Sequence, residues 1–216
     1  MKKVAVILSG CGVFDGAEIQ ETVLSLLALE QNDAQWQCFA PDIDQHHVIN
    51  HRTGEAMSET RNVLTEASRI VRGEILPLTD LNADDFDALL VPGGFGAAKN
   101  LSDFAYNGDP VQVHQDMFAV CQAFARPEKP AGYMCIAPIM IPQIYPKGVK
   151  GTIGNEPDIA AAFNRMGGEH IECPVSDYVL DQRHHLLSTP AYMLATSVSD
   201  AASGINRMVK KLVELA

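Results

Sequence analysis

The chain has 216 residues, of which 47% are hydrophobic and 20% charged, the balance of a soluble globular protein and not of a disordered one. A net charge of −11, from 16 Lys and Arg against 27 Asp and Glu, argues against nucleic acid or an anionic membrane surface as a partner. No run is long and apolar enough to span a bilayer, and five cysteines with no CxxC pair suit a reducing cytoplasm better than a disulfide framework.

The N-terminal Val4–Leu8 is β-branched and breaks at Ser9-Gly10-Cys11-Gly12, so it reads as a first strand and not as a signal peptide. Helical periodicity follows from about Glu18 to Glu30, with Ile19, Val23, Leu26 and Leu27 on one face. Trp36–Phe39 reads as a second strand, and Ile43–Gly54, which holds His46, His47 and His51, as a polar loop or small hairpin. Ser58 is placed to cap a helix running to about Val71 and ended by Gly73; Arg61 stands where a full capping box needs a glutamate. Phe86–Val91 is a strand that enters Pro92-Gly93-Gly94-Phe95-Gly96. A helix from about Pro110 to Ala125 then leads to an apolar strand ending at Cys135 and to a helix after it, with Pro138 in its first turn. Val149–Ile153 reads as a strand, Asp158–Met166 as a helix, Tyr178–Leu180 and His185–Ser188 as short strands, and Ala201–Leu215 as the last helix. This alternation predicts one domain, residues 1–216, of flavodoxin-like α/β architecture: a doubly wound, mostly parallel sheet with helices on both faces.

In such a sheet the turns after the strands share one edge, the usual ligand crevice. Three of them carry chemistry: the first Glu18 and Glu21, the second Gly93 and Gly94, the third Cys135. A cysteine at a strand–helix turn sits where helix dipoles favour thiolate. One of the two glutamates, three apart on one helix, could serve it as general base. The glycine amides, with that of Ile136, could form an oxyanion hole. Each part alone has a plainer reading, as a core thiol, a dipole-stabilising acid or a turn; their convergence is what points to a site.

Three segments resemble the ThiJ/PfpI superfamily, which contains the Parkinson-disease deglycase and is related to class I glutamine amidotransferases: Gly16-Ala17-Glu18-Ile19-Gln20-Glu21-Thr22, Val91-Pro92-Gly93-Gly94-Phe95-Gly96-Ala97-Ala98-Lys99-Asn100-Leu101 and Met134-Cys135-Ile136-Ala137-Pro138. Val48-Ile49-Asn50-His51, Gly54-Glu55-Ala56-Met57, Glu59-Thr60-Arg61-Asn62-Val63-Leu64 and Thr189-Pro190-Ala191-Tyr192-Met193-Leu194-Ala195 resemble its ElbB branch, described as isoprenoid biosynthesis glyoxalases or sigma cross-reacting proteins. The resemblance implies Cys135 as nucleophile, Glu21 and not Glu18 as its acid/base partner, and the amides of Gly94 and Ile136 as oxyanion donors beside Gly93. It further implies a cofactor-free, metal-free glyoxalase acting on glyoxal or a similar small aldehyde, with deglycase activity as a variant, in a homodimer. The alternative is a non-catalytic regulator that senses oxidation through Cys135.

Two positions depart from the pattern. Peptidase-like and amidotransferase relatives need a histidine to activate the thiol; Ile136 follows the cysteine here, and Gly154-Asn155-Glu156 stands where the Parkinson-disease relative carries one. Proteolysis and amide transfer are therefore not expected. Tyr133 stands two before the nucleophile, where a small residue usually allows a tight elbow. The remaining histidines offer little: His46, His47 and His51 lack a carboxylate at metal-binding spacing, His184 and His185 would point to opposite faces of a strand, and His114 falls in mid-helix.

Overall fold

Helices cover both faces of a central sheet, which is why its inner strands are continuous apolar runs and not alternating ones. The computed structural model describes residues 1–125 and 129–216. Its strands there are β1 Lys3–Ile7, β2 Gln35–Ala40, β3 Ile75–Pro77, β4 Ala88–Val91, β5 Ala131–Met134, β6 Lys150–Gly151, β7 Glu169–His170, β8 Val179–Asp181 and β9 Leu186–Thr189. Among the described residues seven strands form one sheet in the order β3-β2-β1-β4-β5-β9-β8. Every pairing in it is parallel except that of β8 with β9. The direction of winding switches between β1 and β4, so the turns after β1, β4 and β5 meet at one edge. The flavodoxin-like expectation holds.

The α-helices are α1 Ile19–Gln31, α2 Val63–Ala67, α3 Phe95–Lys99, α4 Phe104–Asn107, α5 Gln115–Phe124, α6 Ile141–Ile144, α7 Pro157–Arg165 and α8 Val198–Leu215. In α8, Ala201, Gly204, Ile205, Met208, Val209 and Leu212 recur at helical spacing and are buried, so one stripe faces the sheet and α1. It begins three residues before the predicted start, because the Ser197 hydroxyl accepts the Asp200 amide and caps it.

Several expectations are corrected. The predicted face of α1 points outward at three of its four positions: Ile19, Val23 and Leu27 are exposed, Val23 by 48%. The buried face is instead Glu21, Thr22, Ser25, Leu26, Ala28 and Leu29, whose small residues bring the helix close to the sheet. Helix Ser58–Val71 shrinks to α2, capped by Asn62, because residues before it pair across with the loop: the Gln45 amide donates to the Arg61 carbonyl and the Val63 amide to the Ile43 carbonyl. Helix Pro110–Ala125 starts only at Gln115, since Val113 bridges to Ser102 and the His114 amide donates to the Leu101 carbonyl. His114 therefore caps that helix and does not sit within it. The predicted strand Val149–Ile153 reduces to β6, which pairs with β7 outside the main sheet, and His184 and His185 lie in the turn between β8 and β9. Elements β3, β7, α3 and α4 are short additions that hydrophobic periodicity did not disclose.

Leu29, fully buried on α1, carries the docking of that helix. Leu29→Ala is expected to cost about 3 kcal/mol in urea unfolding, whereas Gln31→Ala, at the exposed end of the same helix, should change stability by less than about 0.5 kcal/mol.

Candidate active site

Cys135 follows β5 directly, and its amide donates to the Thr189 carbonyl at the end of β9. The chain turns there through a left-handed conformation, φ +60° at Cys135, which costs a non-glycine residue about 1–2 kcal/mol. Tyr133 does not obstruct this turn, because the small residue that permits it lies on the neighbouring strand end. A Cβ added at Gly93 would fall 2.3 Å from the Cys135 Cβ and 2.8 Å from Glu21 Oε2. Gly93 supplies the space that a small residue at position 133 would otherwise give.

Glu21 reaches this point from the first turn of α1. Glu18 is the N-cap of that helix, and its Oε2 accepts the Glu21 amide at 2.6 Å. The Glu18 amide in turn donates to the Gly93 carbonyl at 3.0 Å. Of the two glutamates the nearer partner is thus Glu21, as the resemblance implied, while Glu18 fixes the helix end. The Glu21 carboxylate is fully buried: Oε2 accepts the Gly93 amide at 2.9 Å, Oε1 accepts the Tyr192 amide at 3.1 Å, and the side chain also hydrogen-bonds the Cys135 sulfur.

The amides of Gly94 and Ile136 both hydrogen-bond that sulfur. Gly94 sits at φ +91°, and a Cβ there would lie 2.4 Å from the Gly16 carbonyl oxygen and from the Glu18 nitrogen, so only glycine lets the second turn press against the first. Gly93 requires a correction: its amide is committed to Glu21, so of the glycine pair Gly94 alone points an amide at the sulfur.

Burial sets the proton affinities. It raises the Glu21 carboxyl from 4.5 to about 7, against the pull of its amide donors. Burial, with the charge of Glu21, also pushes the Cys135 thiol well above its ordinary range, while the Gly94 and Ile136 amides pull it down. The resting thiolate expected from a helix dipole is therefore corrected. The chain beyond Cys135 forms a 3-10 turn, Ala137–Met140, followed by the single turn of α6, and offers too little dipole to outweigh burial. Two acids in hydrogen-bond contact titrate as a pair; when Glu21 holds a proton, the charge opposing thiol ionisation disappears.

The histidines lie elsewhere or have other work. His46 stacks on Tyr106 with ring centroids 4.1 Å apart, and His184 packs against Tyr145. The His51 ring accepts the Phe14 amide and contacts the Ile49 carbonyl, which ties the polar loop to the turn after β1. Among the described residues no group of three or more His, Cys, Asp or Glu could hold a metal ion, and all five cysteines are unpaired. Sequence reasoning missed Tyr192 and Thr189 as direct partners of the pair; the segment Thr189–Ala195 stood out only as a branch motif.

Because the folded chain holds the Glu21 proton more tightly than the unfolded one, the stability it contributes is complete below about pH 4.5 and is lost as pH rises through about 7. Compared with Glu21→Gln, the wild-type protein should lose about 3 kcal/mol of unfolding free energy between about pH 4.5 and pH 8. Denaturant titrations of both proteins across that range check this; parallel curves would contradict a buried, proton-binding Glu21.

No protein-family model matches the chain. It is 41% identical over 223 aligned residues to human "glutamine amidotransferase-like class 1 domain-containing protein 3, mitochondrial", covering 99% of this chain and 83% of that protein. To the rat "ES1 protein homolog, mitochondrial" it is 42% identical over 223 residues, covering 99% and 84%. A crystal structure of an "isoprenoid biosynthesis protein with amidotransferase-like domain" from Ehrlichia chaffeensis superposes with TM-score 0.90 at 34% identity, over 99% of this chain and 100% of that one. Drosophila DJ-1beta, at 14% identity and TM-score 0.57, shares the fold. The resemblance read from the sequence is borne out, and the chain belongs to the glutamine amidotransferase-like class 1 family of the ES1 proteins.

Proposed function

We propose that the protein is a cofactor-independent glyoxalase that converts glyoxal to glycolate through a hemithioacetal on Cys135. The observation that carries this reading is the buried Cys135–Glu21 hydrogen bond, with the Gly94 and Ile136 amides on the same sulfur. Such a site holds a nucleophile, a proton carrier poised at about 7, and two donors for an oxygen that gains charge.

The reaction balances as follows. The sulfur attacks one aldehyde carbon of glyoxal, the carbonyl π electrons move to oxygen, and the thiol proton, passed through Glu21, ends on that oxygen as the hemithioacetal hydroxyl. Glu21 then takes the proton from the sulfur-bearing carbon, giving an enediolate, and returns it to the neighbouring carbon while the hydroxyl proton shifts to the other oxygen, which leaves a glycolyl thioester. Water attacks the thioester carbonyl, the carbon–sulfur bond breaks, the sulfur regains its proton, and glycolate departs. Cys135 is only 6% exposed, which favours a small, flat carbonyl substrate. Deglycation of early adducts would use the same first step on a larger ligand.

Two further features of the reading follow. The sulfur is partnered by a glutamate and by amides, and exposed Asn155 and Glu156 occupy the stretch where a relative carries histidine, so peptide cleavage and amide transfer find no activating base. Redox sensing takes second place, because it depends on an accessible, low-pKa thiolate, and here burial opposes both. We also infer a homodimer in a reducing compartment such as the cytoplasm, supported by the outward stripe of Ile19, Val23 and Leu27 and by five free cysteines.

Purified protein should form glycolate from glyoxal without glutathione or added metal. Cys135→Ala should abolish turnover, and Glu21→Gln should lower kcat by at least about 100-fold, the usual contribution of a positioned acid/base. Turnover by Cys135→Ala equal to wild type would end the proposal. For assembly, light scattering should give a dimer for the wild type and a monomer for Val23→Glu; a dimer unaffected by that charge would place the interface elsewhere.

A further inference from the structure

One branch-specific motif is not used by the mechanism above, and it lies against both reacting groups. Strand β9 pairs with β5 in register Met134 with Thr189, and the Thr189 carbonyl accepts the Cys135 amide at 3.1 Å. Only three residues later, the Tyr192 amide donates to Glu21 Oε1, also at 3.1 Å. A strand cannot present these two groups to the same place unless the chain reverses between them. The reversal occurs at Ala191, which is fully buried and has φ +44°, a left-handed conformation that alanine adopts only where its surroundings enforce it.

The enforcing contacts are visible on both sides. Upstream, the Thr189 hydroxyl donates to the Asp177 carbonyl at 2.7 Å. Downstream, the Ala191 carbonyl accepts the amides of Leu194 and Ala195. The Tyr192 ring then reaches back to α1, where its hydroxyl donates to Gln20 Oε1, on the residue next to Glu21. The groups facing Tyr192 are the carboxyls of Glu18, Glu21 and Asp200, and those facing Glu21 are Glu18 and the Cys135 thiol.

We propose that the Thr189–Tyr192 turn is the positioning element of the Cys135–Glu21 pair: the left-handed Ala191 aims the Tyr192 amide at Glu21, and the Tyr192–Gln20 hydrogen bond holds that amide in place. Tyr192 is a positioning residue, acting on the reaction through Glu21. The proposal deepens the glyoxalase reading and takes its catalytic meaning from it, but its geometry stands apart from any substrate. An amide donated to a carboxylate favours the charged form, so the turn tempers the effect of burial and keeps the Glu21 proton transferable near neutral pH. Without it, Glu21 would keep its proton too firmly to act as a base.

The test is a carbon-13 NMR titration of glutamate side-chain carboxyls in the full chain, with the Glu21 signal assigned by its loss in Glu21→Gln. Tyr192→Phe and Gln20→Leu each remove the hydroxyl–amide link and should raise the Glu21 midpoint by about half a pH unit or more, as expected when one donor is loosened. Ala191→Gly, which accepts φ +44° without strain, should keep the wild-type midpoint. If Tyr192→Phe fails to fold, Gln20→Leu, altered at an exposed position, carries the test alone. A Glu21 midpoint unchanged in every folded variant of that pair overturns the proposal, as does a shift in Ala191→Gly alone. Glyoxal turnover measured on the same samples separates the two readings. An inert wild-type protein with the predicted NMR shifts sinks the glyoxalase assignment and leaves the positioning role intact.

Discussion

The site depends on one close approach, that of the Gly93 backbone to both Cys135 and Glu21. There is no room for a side chain: a methyl group would overlap the cysteine Cβ and crowd the carboxylate. Through that gap run two reciprocal hydrogen bonds, from the Gly93 amide to Glu21 and from the Glu18 amide to the Gly93 carbonyl. They join the turn after β4 to the first turn of α1, and the register of β4 with β5 then fixes where Cys135 must lie. The position of Cys135 relative to Glu21 is thus a property of the sheet. It does not rest on either side chain's freedom to rotate.

This arrangement also explains how a carboxylate survives without water. Burial of an acid is costly unless its oxygens are satisfied, and here both oxygens are, each by a main-chain amide. The remaining imbalance is not removed; it appears as a raised proton affinity, and that is the property general acid–base chemistry at neutral pH requires. The thiol experiences the same burial, so neither group is ionised outright at rest. In the proposed reaction the two groups would exchange a proton inside a closed, amide-lined space.

Much of this was legible in the sequence, for identifiable reasons. The apolar runs at residues 4–7, 88–91 and 131–134 are buried on both faces, and strands of that kind are recognised from composition alone. The order of elements by itself places Glu21, Gly94 and Cys135 at one edge of such a sheet. What could not be read was local or electrostatic. The apolar face of α1 misled because polar Glu21, Thr22 and Ser25 are the inward residues, drawn there by the site. The left-handed backbone at Cys135 and Ala191 has no signature in residue type, since both are residues that normally avoid it. A dipole argument for the thiolate failed because it assumed an α-helix starting at Cys135, and the prolines at 138 and 142 lie in short turns instead.

Apart from the hydrogen bond that Cys135 and Glu21 share, the donors to them described above are main-chain amides: Gly93 and Tyr192 for Glu21, Gly94 and Ile136 for Cys135. Amides persist when side chains change, so position 136 can drift in evolution while still supplying its N–H group, provided the path of the chain is kept. Sequence variation at position 136 among relatives would then reflect the ligands admitted beside the sulfur, with the proton chemistry beneath left unchanged.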